Sequence, residues 1–177
     1  MVHLPAVDLG LMAEHLSAHQ GAIQKLHVYE HNVSIPELRE TLQLQRNVME
    51  AHVKVMLELI NPNTNTNVEV PNLEQVKQKM MQTESNTKNK NKNDKWIALE
   101  AHNTAKSMSN QNYMSALMMK NKNVRDVHVE MALQQLSILE RYDMIINNKG
   151  WTFTPKATYE EQLETYNQFL NQYKKQA

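Results

Sequence analysis

Leu26-His-Val-Tyr-Glu-His-Asn-Val-Ser-Ile-Pro-Glu-Leu38 is the stretch on which the fold turns. Upstream of it, Met12, Leu16, His19, Ile23, Leu26 and Glu30 recur at steps of four and three, the spacing that sets side chains on one stripe of a helix. Downstream, Leu38, Gln45, Val48, His52, Val55 and Leu59 carry a second stripe until Asn61-Pro62 stops it. Only Asn32 to Pro36 separate the two. Ser34 is placed to cap the second helix, with Pro36 tolerated in its first turn and Glu37 three residues on, as in a capping box. So short a connection makes the helices fold back on each other, which predicts an antiparallel hairpin over about residues 8–60.

The arrangement returns later in the chain. A helix over about Lys95 to Lys120 carries Trp96, Ile97, Leu99, Ala105, Met108, Leu117 and Met119. Another, over about Val124 to Asn148, carries Val127, Met131, Gln135, Ile138, Tyr142 and Ile145, and Gly150 stands where a glycine closes a helix. The turn between them, Asn121 to Asn123, is again tight, so residues 95–148 read as a second hairpin. The hairpins echo each other: Glu14-His15 against Glu100-Ala-His102, and Leu38-Arg-Glu40 against Val124-Arg-Asp126, as after a diverged duplication. Helices of about 22–26 residues would be roughly 33–39 Å long, and four rods of matching length make a bundle.

Residues 61–94 join the hairpins. Two polar stretches, Pro62 to Asn67 and Glu84 to Asp94, flank a short helix expected over about Asn72 to Gln82, where Leu73, Val76 and Met80 share a face. An up-down turn needs only about 2–8 residues. The link is long enough to run from one end of the bundle to the other. The expected fold is therefore all-α, a ferritin-like antiparallel four-helix bundle of two helical hairpins with a long crossover link. The alternative is a mobile loop over an up-down bundle. In the C-terminal extension, 149–177, Tyr159, Leu163, Tyr166, Leu170 and Tyr173 form one stripe of an extra helix over about residues 157–175. That helix is expected to pack on the bundle; the other possibility is contact with a partner.

Composition agrees with a single helical domain. Of 177 residues 41% are hydrophobic, and 3 glycines with 5 prolines are too few for the turns of an all-β fold. The 19 basic and 19 acidic side chains cancel, so no net field steers the protein to nucleic acid or an anionic membrane. With no cysteine, disulfides, thiolate catalysis and cysteine-ligated zinc are excluded. The start, Met1 to Asp8, lacks the cationic and apolar regions of a secretory signal, and no run approaches the roughly 18 apolar residues of a membrane span.

A carboxylate-bridged metal pair in such a bundle requires Glu-x-x-His on two helices, because i,i+3 spacing turns both ligands inward. The motif is absent. Glu50-Ala-His52 and Glu100-Ala-His102 are spaced by two, which points their side chains about 200° apart around the helix. His15/His19 and His27/His31 do have the i,i+4 spacing with which two imidazoles grip one ion. The candidate mononuclear metal site groups His19 and His52 on the apolar stripes with Glu14, His102 and Glu140 at the same end. Against it stands the commoner fate of a buried histidine, a hydrogen bond to a neighbour such as Gln45. The 12 methionines read as adaptable core filler. No phosphate loop, nucleophile elbow or catalytic triad is recognisable, so no catalytic residue and no cofactor are assigned.

Ala13-Glu-His-Leu-Ser-Ala-His-Gln-Gly-Ala-Ile-Gln-Lys-Leu26 and Ile35-Pro-Glu-Leu-Arg39 resemble the first helical hairpin of spore coat protein F-like proteins. Val124-Arg125, with the helix ending at Asn148-Lys-Gly-Trp151, is similar to that family's closing helix and its glycine–aromatic exit. The resemblance covers roughly residues 9–60 and 95–156. It implies a ferritin-like bundle made in the mother cell and laid down in the bacterial spore coat among other coat proteins. It supplies no catalytic residues. Self-association as a homo-oligomer is a separate possibility, which the neutral surface permits. The competing functions are a metal-binding or redox ferritin-like protein and a helical adaptor or regulator that uses the last helix.

Overall fold

A computed structural model describes residues 3–64, 66–80 and 93–176. Among them are six helices and no strand: α1 (Ala6–His31), α2 (Pro36–Ile60), α3 (Leu73–Met80), α4 (Asp94–Met118), α5 (Lys122–Asn148) and α6 (Tyr159–Gln176). The chain is all-α. The polar run over 84–92, with Lys88 and Lys90, and the expected continuation of α3 to Gln82 lie outside the described residues. No described helix is long and apolar enough to cross a membrane.

Side-chain bonds fix the directions of the long helices. Lys25 donates to Glu100 at 3.0 Å and to Thr104 at 2.7 Å, while His15, ten residues earlier, meets Asn112 and Ser115. Hence α1 and α4 run antiparallel. Gln45 meets Tyr142 at 2.9 Å and His52 meets Gln134 at 2.9 Å, so α2 and α5 are antiparallel too. With α1 and α2 folded into a hairpin, α2 and α4 point the same way, and the link between them must climb the molecule. It does so along α5: Val68 bonds Asn123 in both directions, the Pro71 carbonyl accepts from Gln134, and Asp94 arrives beside Ser34.

The two ends of the molecule are tied alike. At one, the buried Asp8 carboxylate accepts from the backbone N–H groups of Lys120 and Asn121, both at 2.8 Å. At the other, Asp94 accepts from the Ser34 N–H at 2.7 Å and from the Ser34 hydroxyl. Arg39 donates to the Val33 carbonyl and Arg125 to the Met119 carbonyl. These partners repeat at one interval of 86 residues (94 − 8, 120 − 34, 125 − 39, 119 − 33). A repeat in hydrogen-bonded roles is stronger evidence of duplication than the residue echoes alone.

Several expectations shift. Ser34 does not cap α2; Ile35 occupies that position, Pro36 opens the helix, and the hydroxyl is drawn to Asp94. At the second turn Asn121 caps α5 by accepting from the Val124 N–H, so α5 starts two residues early and Asn123 is left to hold the link. α3 opens with the reciprocal bonds of a capping box between Asn72 and Gln75. α5 closes as a Schellman motif: Gly150, at φ +63°, donates to the Asn147 carbonyl and Trp151 to that of Ile146.

Leu26, Val48, Val55, Met131, Ile138 and Ile145 are buried as expected, whereas Leu16 and Ile23 sit at the margin of the core. The buried face of α1 is Asp8, Met12, His15, His19, Ala22, Leu26 and Glu30, so polar side chains displace the apolar ones expected there. On α4 the close contact is made by Ala98, Ala101 and Ala105, while Trp96 and Leu117 are exposed at 68% and 63%. α6 departs most from expectation. It does not pack on the other helices: every residue from Thr152 to Phe169 is exposed, including Tyr159, Tyr166 and Phe169.

Candidate functional site

Four histidines meet inside the molecule. α1 brings His15 and His19, one turn apart; α2 brings His52; α5 brings His128. Ring centroids lie 6.2 Å apart for His15 and His19, 5.2 Å for His15 and His128, and 5.7 Å for His19 and His52. All four are buried.

Their acceptors determine which nitrogens carry protons. A carbonyl oxygen only accepts, so Nδ1 of His19 donates to the His15 carbonyl and Nδ1 of His128 to the Val124 carbonyl, both at 2.8 Å. Nε2 of His52 donates to Oε1 of Gln134, whose amide in turn holds the Pro71 carbonyl and so binds the link to the core. Nδ1 of His15 donates to Asn112 and its Nε2 accepts from the Ser115 hydroxyl. His15 is thus satisfied. Nε2 of His19, Nδ1 of His52 and Nε2 of His128 are bare lone pairs with no hydrogen-bond partner among the described residues.

Burial disfavours the imidazolium form, pulling His52 down to about 3 and His19 and His128 to about 4, and lowering His15 as well. The neighbouring imidazoles push His19 and His52 the same way. At neutral pH the cluster is a set of uncharged bases sealed from solvent. It is suited to packing the helices in one register.

His19 and His52, expected together, are neighbours. Glu14, His102 and Glu140 do not join them. Glu14 and Glu140 are exposed, and His102 pairs with Asp143 at 3.0 Å. The reason is direction: antiparallel α4 sets residues 100–104 against Lys25, nearly two turns beyond His19. His128 escaped the sequence reading although it lies three residues before Met131 and seven before Gln135, on the same stripe.

A second group lies at the hairpin turn. The ligand atoms of His27, Glu30 and His31 fall within 4.8 Å of one another, the one such set of three among the described residues. Glu30 is only 5% exposed; one carboxylate oxygen faces His27 at 3.2 Å and His31 at 3.7 Å, and the other accepts from Arg46 at 3.0 Å. Arg46 also reaches Glu50 at 2.7 Å. The histidine pair was legible from its spacing. Glu30 appeared in the sequence as a stripe residue, and its role depends on Arg46, sixteen residues away. Comparison with protein-family models, with curated proteins and with solved structures returns no match.

Proposed function

We propose that the chain is a structural, non-catalytic component of the bacterial spore coat, a ferritin-like bundle that assembles through protein–protein contacts with other coat proteins. The observation that carries this reading is α6, whose apolar stripe is held clear of the other helices and offered outward. The parallel α2 and α4, joined end to end by the link, support the ferritin-like part, since that crossover distinguishes such bundles from up-down ones. The buried polar groups support the absence of catalysis: His15, His52, Gln45 and Tyr142 spend their hydrogen bonds on joining helices. A fluorescent fusion imaged through sporulation tests the proposal. The expected result is mother-cell synthesis followed by a ring around the spore; a signal that stays diffuse in the mother cell, or fills the spore interior, contradicts it.

A metal-binding bundle is the second reading, favoured by the three bare lone pairs of the core and by the convergence of His27, Glu30 and His31. Each core imidazole donates its other N–H to a carbonyl or amide oxygen, as ligating histidines do. Equilibrium dialysis against zinc separates the readings. Stoichiometric retention abolished by His52→Gln would place the ion in the core, and abolished by His31→Gln, at the turn. No retention leaves the structural reading.

A further inference from the structure

The heptad on α6 has consequences for how the chain meets itself. Tyr159, Tyr166 and Tyr173 recur every seven residues, with Leu163 and Leu170 between them at steps of four and three. In heptad terms the leucines are a positions and the tyrosines d positions of a coiled-coil seam. Most of this seam stands open: Tyr159 is 73% exposed, Tyr166 61%, Tyr173 72% and Leu163 41%, Phe169 flanks them in the same state, and Leu170 is half-buried. Yet the helix is well formed at its start, where Thr158 and Glu161 make a reciprocal capping box. Most helical stability comes from packing an apolar face, so a helix with such a face and nothing on it lacks its main support.

Charge and shape select the occupant. The first turn of α6 is acidic, with Glu160 and Glu161, and the last is basic, with Lys174 and Lys175. Two copies laid side by side in parallel would set like charge against like and tyrosine against tyrosine. Laid antiparallel, the acidic start of each faces the basic end of the other. The seam then closes in four layers that each pair one leucine with one tyrosine: Leu163 with Tyr173 of the second copy, Tyr166 with Leu170, and their reciprocals. Glu160 and Lys174, both at e positions beside the seam, come together across the pair twice over.

We infer that α6 is a self-association element, pairing antiparallel with α6 of a second copy of this chain to make a dimer. The inference rests on the assembly reading above and names the partner of its contact surface. A lipid surface suits the helix less well, because three glutamates against two lysines give α6 a net negative charge (Glu160, Glu161, Glu164; Lys174, Lys175).

Sedimentation equilibrium of the full-length chain tests it, with Glu160→Lys and Lys174→Glu as variants that leave the capping box intact. The wild type should show a concentration-dependent monomer–dimer equilibrium. Each single variant turns two attractions into two repulsions and should weaken the dimer by about tenfold. An equimolar mixture of the two variants should restore association as a heterodimer, and the double variant E160K/K174E should restore it within one chain. Far-UV circular dichroism of each variant establishes that α6 remains helical. A wild type that stays monomeric, variants that associate as well as the wild type, or a mixture that shows no rescue would overturn the inference. So would a monomer that binds phosphatidylcholine–phosphatidylserine vesicles. A monomeric chain that still encircles the spore removes this inference alone; a dimer that stays diffuse in the mother cell removes the coat assignment instead.

Discussion

Asp8 is a buried carboxylate that remains acceptable because two backbone N–H groups point at it, each at 2.8 Å. Truncating it strands the donors of Lys120 and Asn121 at the turn between α4 and α5. Hydrogen bonds to charged groups are the stronger kind, and Asp8→Ala should cost about 1–3 kcal/mol in urea melts. Asp94→Ala, at the more accessible end, should cost less. The histidines give a second residue-scale prediction. Free histidine titrates near 6.5, whereas burial holds His52 at about 3 and His19 and His128 at about 4. Below 6.5 the unfolded chain takes up protons that the folded core refuses. Stability is therefore complete above that pH and falls as pH drops toward about 4, by about 2 kcal/mol per histidine between pH 7 and pH 5. The urea midpoint should fall steeply over this range, and His128→Asn should flatten the slope; a midpoint indifferent to pH would contradict the account. Two pieces of this chemistry were hidden in the sequence for one reason. Ser34 reads as a cap until Asp94, sixty residues on, is known to face it, and the lone pairs of His19 and His128 become orphans only when neighbouring helices shut out water.

At the scale of the element, the long helices were legible because their stripes persist over six or seven turns and their turns are short. What the stripes did not give was the face. On α1, Leu16 and Ile23 outrank histidine and aspartate by hydropathy, yet the core side holds His15 and Asp8, which find partners on α4 and at its turn, and His19, which bonds the His15 carbonyl one turn back. The extra helix was legible as a helix and misread in its packing, since an apolar stripe records that something covers it and not what. Ile138 is fully buried in the main core, and truncating it removes contacts and leaves a cavity; Ile138→Ala should cost about 2–5 kcal/mol. Phe169→Ala on α6 should change the unfolding of the monomer by less than about 0.5 kcal/mol, because the ring stands in solvent. Chemical denaturation of both at low protein concentration checks the pair, and a costly Phe169 beside a silent Ile138 would show the element assignment to be wrong.

The two hairpins are copies of one design, each offering an aspartate to the turn of the other across an interval of 86 residues. That reciprocity requires the start of each hairpin to sit at the turn of its mate, which sends α2 and α4 the same way and obliges the link to travel the length of the helices. The sequence carried the ingredients in its two tight turns and one long connection. It did not carry the path of the link, which Asn123 and Gln134 on α5 determine by bonding Val68 and Pro71. The absence of cysteine makes this claim directly measurable, because a pair of introduced cysteines can be spin-labelled without background. Glu58, near the end of α2, and Lys95, at the start of α4, are both exposed. Double electron–electron resonance between labels there should give a separation of about 33 Å or more, the rise of some 22 helical residues. Glu37 labelled against Lys95 should give a short distance, near the roughly 10 Å spacing of adjacent helices plus the label arms. A short distance from Glu58 to Lys95 and a long one from Glu37 would mean that the hairpins meet end for end, and would contradict the crossover on which the fold and the ferritin-like part of the proposed function both rest.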